Sequence, residues 1–151
     1  MTDIALHMAD AADLLFDLAL TGGQLKTDDG LRTAIAISLF TDARAADDDA
    51  LPEGGADRRG WWGDVVPPIE GDTIGSRLWL LRRSKMTATV VQRAREYAAE
   101  ALAWLTADRI ASTVEVEAEA QHPDRLAIGV IITRPGGPER QRFDFVWSAI
   151  A

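Results

Sequence analysis

The chain has 151 residues, a formal net charge of −8, no cysteine, and only two histidines, His7 and His122. This length suits one domain with its own core, while the acidic balance disfavours a nucleic-acid coat or a polybasic membrane-surface protein, both of which need a basic face. Without cysteine there are no disulfides, thiolate zinc sites, iron–sulfur clusters or cysteine nucleophiles, and two histidines are too few for a histidine-rich metal site.

The first residues carry Asp3, Asp10, Asp13 and Asp17 with no early Lys or Arg, which is not the pattern of a signal peptide, so synthesis in a cytoplasm is expected. No stretch approaches the roughly 18 uncharged apolar residues of a membrane span. Residues 17–20 and 24–26 flank Thr21-Gly22-Gly23 and predict a short hairpin, because a two-residue turn demands positive φ and glycine supplies it. Thr27-Asp28-Asp29-Gly30 then offers capping side chains ahead of a helix over 31–40, where Leu31, Ile35 and Leu39 share a face with Ala34 and Ile37 alongside.

Residues 41–75 lose all periodicity, with Asp47-Asp48-Asp49, Pro52, Gly54-Gly55 and Pro67-Pro68 among them. A loop of this length inside a compact domain is usually functional or disordered. Trp61-Trp62 in its middle is hard to square with disorder and predicts an extended arm that orders against something. Residues 85–107 predict the best helix, with Val90, Ala94, Tyr97, Ala101 and Leu105 on one stripe and Ser84 or Thr87 as its cap.

From residue 113 the period turns to two. Val114, Val116 and Ala118 alternate with Glu115, Glu117 and Glu119; Leu126, Ile128, Val130 and Ile132 make the next buried face; Phe143, Phe145 and Trp147 alternate with polar positions after a Pro135-Gly136-Gly137-Pro138 turn. The expected class is α+β: a small antiparallel sheet, made of a C-terminal three-strand meander plus the short N-terminal hairpin, packed against two main helices with a long central loop arm.

Candidate chemistry is sparse. The triple aspartate lacks the spaced ligands, position-six glycine and closing glutamate of a calcium loop and reads as a solvated loop. No phosphate loop, G-x-S-x-G or H-E-x-x-H motif is present. His7 and His122 have nearby acids, Asp10 and Asp124, but one such pair is expected by chance, and surface histidines are favoured. Glu115 and Glu117 stand roughly 6.5–7 Å apart on one strand face, a spacing found in glycosidases. Their strict alternation instead points them to water or a cationic partner.

The unusual segment is Arg58-Arg59-Gly60-Trp61-Trp62-Gly63-Asp64, followed by Gly75-Ser76-Arg77-Leu78-Trp79-Leu80-Leu81-Arg82-Arg83. Residues 58–83 hold three of the five tryptophans and five of the fourteen arginines, the residue types most enriched at interface hot spots. A protein interface, tryptophans that close a small core, or a ligand platform would each use them.

These two segments, with Asp28-Asp29-Gly30-Leu31-Arg32-Thr33-Ala34, Ser38-Leu39-Phe40-Thr41-Asp42 and Ala101-Leu102-Ala103-Trp104-Leu105, make the chain resemble the Mu-like phage baseplate family described as gene product forty-six. The resemblance covers nearly the whole length and is loosest over 1–13 and 135–151. The layout is also similar to the gene-product-twenty-five-like wedge and sheath-initiator family of contractile tails, the counterparts being residues 17–20, 31–41, 61–64 and 105–110. What the resemblance implies is structural: one wedge-like domain over 1–151, with 41–75 as an arm, that joins the baseplate wedge in the virion tail and templates the first tail-sheath ring by β-augmentation.

Other wedge proteins and the sheath protein are then the expected partners, with no nucleic acid, membrane, metal or cofactor and no catalytic residues. The free form would be a monomer or small homo-oligomer. The partner interface is expected at Arg58, Arg59, Trp61, Trp62, Asp64, Arg77, Trp79, Arg82 and Arg83, and the sheet edge at Phe143, Phe145 and Trp147. The alternative is a glycan-binding or lysozyme-like tail protein using Glu115, Glu117 and the tryptophans.

Overall fold

The computed structural model describes residues 3–10, 15–18, 20–25, 27–28, 30–52, 54–136 and 140–149. Six short strands come first: β1 (Asp3–Ile4), β2 (Leu6–Asp10), β3 (Leu15–Leu18), β4 (Leu20–Thr21), β5 (Gln24–Leu25) and β6 (Thr27–Asp28). They pair antiparallel as β1–β6, β2–β3 and β4–β5. The glycine turn is where the sequence places it, with φ of 60° at Gly22 and 78° at Gly23, although Ala19 and Lys26 of that hairpin lie outside the described residues.

Helix α1 (Leu31–Phe40) follows. Its apolar stripe forms as periodicity demands, with Leu31, Ile35 and Leu39 all buried. Its start differs from expectation. Thr27 and Asp28 are drawn into β6 against β1, and the N-cap position falls on Gly30; Asp29 is outside the described residues. The chain enters the helix through Gly30 at φ 79°, with no side-chain cap, and the Gly30 carbonyl accepts the Ala34 amide at 2.9 Å. Thr33 ties the N-terminal strands to this helix, donating its hydroxyl to the Ile4 carbonyl and accepting from the Leu6 amide, each at 3.3 Å.

Helix α2 (Ala88–Ala101) is capped by Thr87, whose hydroxyl accepts the Val90 amide. It is shorter than the stripe over 85–107 suggests. The chain tightens at Leu102, whose amide bonds the Ala98 and Ala99 carbonyls, and resumes as a single turn, α3 (Trp104–Ala107). This break lets Leu102 and Leu105 both reach full burial.

The sheet is a meander of β7 (Thr113–His122), β8 (Arg125–Thr133) and β9 (Arg140–Ser148), in the spatial order β7-β8-β9. Leu126, Ile128, Val130 and Ile132 of the central strand are fully buried. They pack with α1, α2, Leu78 and Leu81 into one core. The opposite face of the sheet carries Glu115, Glu117, Glu119, Arg140, Arg142 and Asp144, all exposed, so each outer strand alternates as period two requires. In the turn before β9, Pro135 and Gly136 are described and Gly137-Pro138 are not. Among the described residues no helix is long and apolar enough to cross a membrane.

Candidate interaction surface

Among the described residues of 41–75 there is no helix or strand beyond a 3-10 turn at Trp62–Val65 and a single parallel bridge, Asp42 to Ser76. The loop is nevertheless pinned at its base. Ser76 donates its amide to Thr41 and its hydroxyl to Leu39, and its carbonyl accepts from Ala43; Arg58 in turn accepts the Ala45 amide at 2.9 Å. Gly75, at φ 107°, lies so close to this crossing that a Cβ there would stand 2.5 Å from the Thr41 carbonyl oxygen. Ala45, Trp79 and Leu80 form a second small apolar cluster beneath the loop.

Three of the arginines assigned to a partner interface are spent on this internal bracing. The Arg58 guanidinium donates to the carbonyls of Ala46 and Asp47. Arg59 pairs with Asp42 at 2.7 Å and lies 4.6 Å above the Trp79 ring. Arg77 bridges Asp49 at 3.0 Å and Glu100 at 2.6 Å, and stacks 4.7 Å over Tyr97. The bonds to Glu100 and Asp49 hold the Arg77 guanidinium charged well above its ordinary range, against the cost of burial. Burial pushes the Tyr97 phenol up as well, with the Asp49 charge adding to it.

Asp49 departs from the solvated-loop expectation that Asp47 and Asp48 fulfil. It accepts the Ala46 amide at 2.8 Å as well as the Arg77 bonds. Burial raises its pKa, but the Arg77 hydrogen bond, the Ala46 amide and the neighbouring cationic charges outweigh it and leave the carboxyl below the usual value.

Trp79 is 3% exposed, and its indole N–H donates to the Ala43 carbonyl at 2.8 Å. It closes a small apolar cluster with Ala45 and Leu80. Phe145 and Trp147 are likewise buried on the inner face of β9, with Phe143 half-buried beside them; Phe145 meets Phe40 edge-on at 5.9 Å. What β9 presents sideways is its backbone, not these rings. Arg82 is half-buried and Arg83 exposed, and neither forms an ion pair among the described residues; with Arg93 they line a polar cleft of about 630 Å³.

Besides Arg83, two assigned residues face outward. Trp61 is 42% and Trp62 81% exposed, their rings 5.3 Å apart. The Trp61 ring lies against Gly63, where a Cβ would come within 2.1 Å of it, which is why glycine follows the tryptophan pair. Asp64 is half-buried; its carboxylate accepts the Ile74 amide at 3.2 Å and closes the neck of a projecting loop, residues 61–74.

Sequence reasoning missed the rest of this projection. Val65, Val66 and Ile69 are 81%, 83% and 68% exposed. The run Val65-Val66-Pro67-Pro68-Ile69, with no polar side chain inside an otherwise polar loop, was the available signal. Behind it lies a mostly apolar cleft of about 430 Å³ between Ile37, Trp61, Pro67, Pro68, Ile74 and Trp104, the last donating its indole N–H to Ser38 at 3.1 Å.

The carboxylates of the glycosidase alternative do not converge. Glu115 pairs with Arg140 at 2.8 Å and Glu117 with Arg142 at 2.7 Å on the open face of the sheet. His122 bonds Asp124 at the exposed β7–β8 turn, which lowers the Asp124 pKa. The side chains of His7 and Asp10 lie outside the described ones.

Fold and surface together define a small α+β scaffold that carries a braced loop with an apolar tip. A family model described as phage protein GP46 matches residues 31–139, from the start of α1 through the whole loop to the β8–β9 turn, and the chain belongs to that family. It is 48% identical over 138 residues to the protein named baseplate protein gp46 of Escherichia phage Mu, covering 91% of this chain and 90% of the relative. It is also 38% identical over 149 residues to the Mu-like prophage FluMu protein gp46 of Haemophilus influenzae, covering 98% and 99%. The resemblance to the Mu-like family is thereby borne out.

Proposed function

We propose that this chain is a non-enzymatic structural subunit of a phage tail baseplate, made in the host cytoplasm and built into the wedge. Partners grip the 61–74 projection, and the outer strands of the meander lend backbone to the first sheath ring. The observation that carries the reading is the projection itself. Four large apolar side chains, Trp62, Val65, Val66 and Ile69, stand nearly free on a loop whose base is fixed by internal bonds. A monomer has no use for such a surface, whereas a subunit that is buried on assembly does. The 48% identity to a protein named as a baseplate component supports the setting.

Sheath templating rests on topology. Among the described residues β7 and β9 are both outer strands with no further strand beside them, each nine or ten residues long, and such edges take up an added strand through main-chain hydrogen bonds.

The test is replacement of Trp61 and Trp62 together by Ala. The purified variant is expected to stay folded, because neither ring belongs to the core, yet to be missing from assembled tails. Tails that assemble and retain the variant normally would show that the projection is not gripped.

A further inference from the structure

The charge around the projection says more about what grips it. Residues 60–75 contain three acids, Asp64, Glu70 and Asp72, and no Lys or Arg. Glu70 and Asp72 are exposed and form no ion pair among the described residues. The arginines just before the projection are turned away from it, Arg58 onto the carbonyls of Ala46 and Asp47 and Arg59 onto Asp42 and Trp79. The apolar tip is therefore bordered by acids that form no ion pair among the described residues, although residues 58–95 as a whole hold eight basic residues against three acidic ones.

The surface is also ready-made. The Asp64–Ile74 bond closes the neck, the Asp72 amide bonds the Ile69 carbonyl at 3.1 Å at the far end, and the Trp61 ring is seated on Gly63. Little ordering entropy remains to be lost on binding, which favours a fixed docking surface over a flexible tether. The adjoining cleft of about 430 Å³ is apolar except for Ser38, Asp64, Asp72 and Thr73 at its floor and rim, which is the make-up of a pocket for apolar anchor side chains.

Resting on the baseplate reading above, we infer that the 61–74 projection and the cleft behind it seat an apolar segment of another tail protein that carries Lys or Arg beside its anchoring side chains. Charge complementarity selects this occupant. A cationic flank meets Glu70 and Asp72, whereas an acidic flank would be repelled and left unpaired on burial. The same acids oppose an anionic lipid surface.

The experiment places a photoreactive benzoylphenylalanine at Val66, which is 83% exposed, and separately at Glu119 on the outer sheet face as a control. Tails are assembled with each labelled chain and irradiated, and the crosslinked peptides are identified by mass spectrometry. A parallel variant, Glu70→Lys with Asp72→Lys, is scored for incorporation and for thermal stability.

The expected result at position 66 is a peptide from a different tail protein with Lys or Arg within a few residues of an apolar run, one that position 119 does not capture. The double-lysine variant is expected to keep its melting temperature and enter tails at least tenfold less. An acidic peptide, a peptide of this same chain, a lipid adduct, no adduct in tails that contain the chain, or normal incorporation of the double-lysine variant would each overturn the inference while leaving the baseplate role intact. Absence of the unlabelled chain from purified tails would overturn both.

Discussion

Arg142 reaches Glu117 from two strands away by lying across Gly129. Glu117, Gly129 and Asp144 are in register across β7, β8 and β9. From the neighbouring row Arg142 bonds Asp144 at 2.9 Å and Glu117 at 2.7 Å. A Cβ on Gly129 would meet the Arg142 guanidinium at 2.5 Å, so a side chain there forces the arginine aside.

Glu117 and Asp144 keep Arg142 charged beyond its usual range, yet all three side chains are at least half exposed, and solvent screening leaves such pairs little net weight. Ala in a strand also recovers some of the entropy that glycine loses on folding. Gly129→Ala is thus expected to shift unfolding stability by less than about 1 kcal/mol, measured by urea denaturation. A loss of several kcal/mol would mean that the arginine lattice bears more of the fold than its exposure implies.

Gly75→Ala is expected to behave in the opposite way. Its φ of 107° is foreign to L-residues, and the new Cβ meets backbone, the Thr41 carbonyl oxygen at 2.5 Å and the Ala43 nitrogen at 2.9 Å. Backbone yields less readily than the end of an arginine. The bridge between Asp42 and Ser76 that closes the loop would have to open. A cost of about 3 kcal/mol or more is expected, read as a melting temperature lower by roughly 6–12 °C at this chain length. Gly22→Ala, at φ 60° in open space, should lose only about 1 kcal/mol.

Trp79→Phe isolates the polar role of the buried indole. Phe keeps an apolar ring and a face for Arg59, but the Ala43 carbonyl loses its donor at a site that is nearly dry. The lost bond and the smaller ring together should cost about 1–3 kcal/mol, seen in the denaturant midpoint with an unchanged slope. A variant as stable as the parent would mean that the indole N–H bond to Ala43 contributes nothing net to the fold.

How much of this was legible follows from what each signal depends on. The stripe of α1 and the alternation of β7, β8 and β9 depend on burial of one face, so Leu31, Ile35, Leu39 and Leu126 to Ile132 declared their elements. Strands β1, β4, β5 and β6 span two residues each, too few to show any period, and Asp28 was as plausible a helix cap as a strand residue. Composition located the loop and its Arg/Trp content. It carried no information on direction: a guanidinium satisfies its donors equally well on a partner carboxylate or on its own chain's carbonyls, and Arg58, Arg59 and Arg77 take the second course. Asp47, Asp48 and Asp49 are identical neighbours in sequence, and only the fold brings Arg77 to the third.

That pairing makes the loop's attachment sensitive to acid. The Asp49 pKa in the folded chain lies below its ordinary 3.8, so the folded state binds its proton less readily than the unfolded state. The resulting stabilisation is complete above about pH 4 and is lost as pH falls through the lower folded value. Asp49→Asn keeps an acceptor for the Ala46 amide but removes the charge facing Arg77, whose Nη1 lies 3.0 Å away with the carboxylate side chain only 13% exposed. The variant should be less stable at neutral pH by about 1.5–3 kcal/mol, the range for a hydrogen bond to a charged group. The gap between the two melting temperatures should stay constant from pH 7 to about pH 5 and close below pH 4. A gap that widens on acidification would mean that burial, not Arg77, governs this carboxyl.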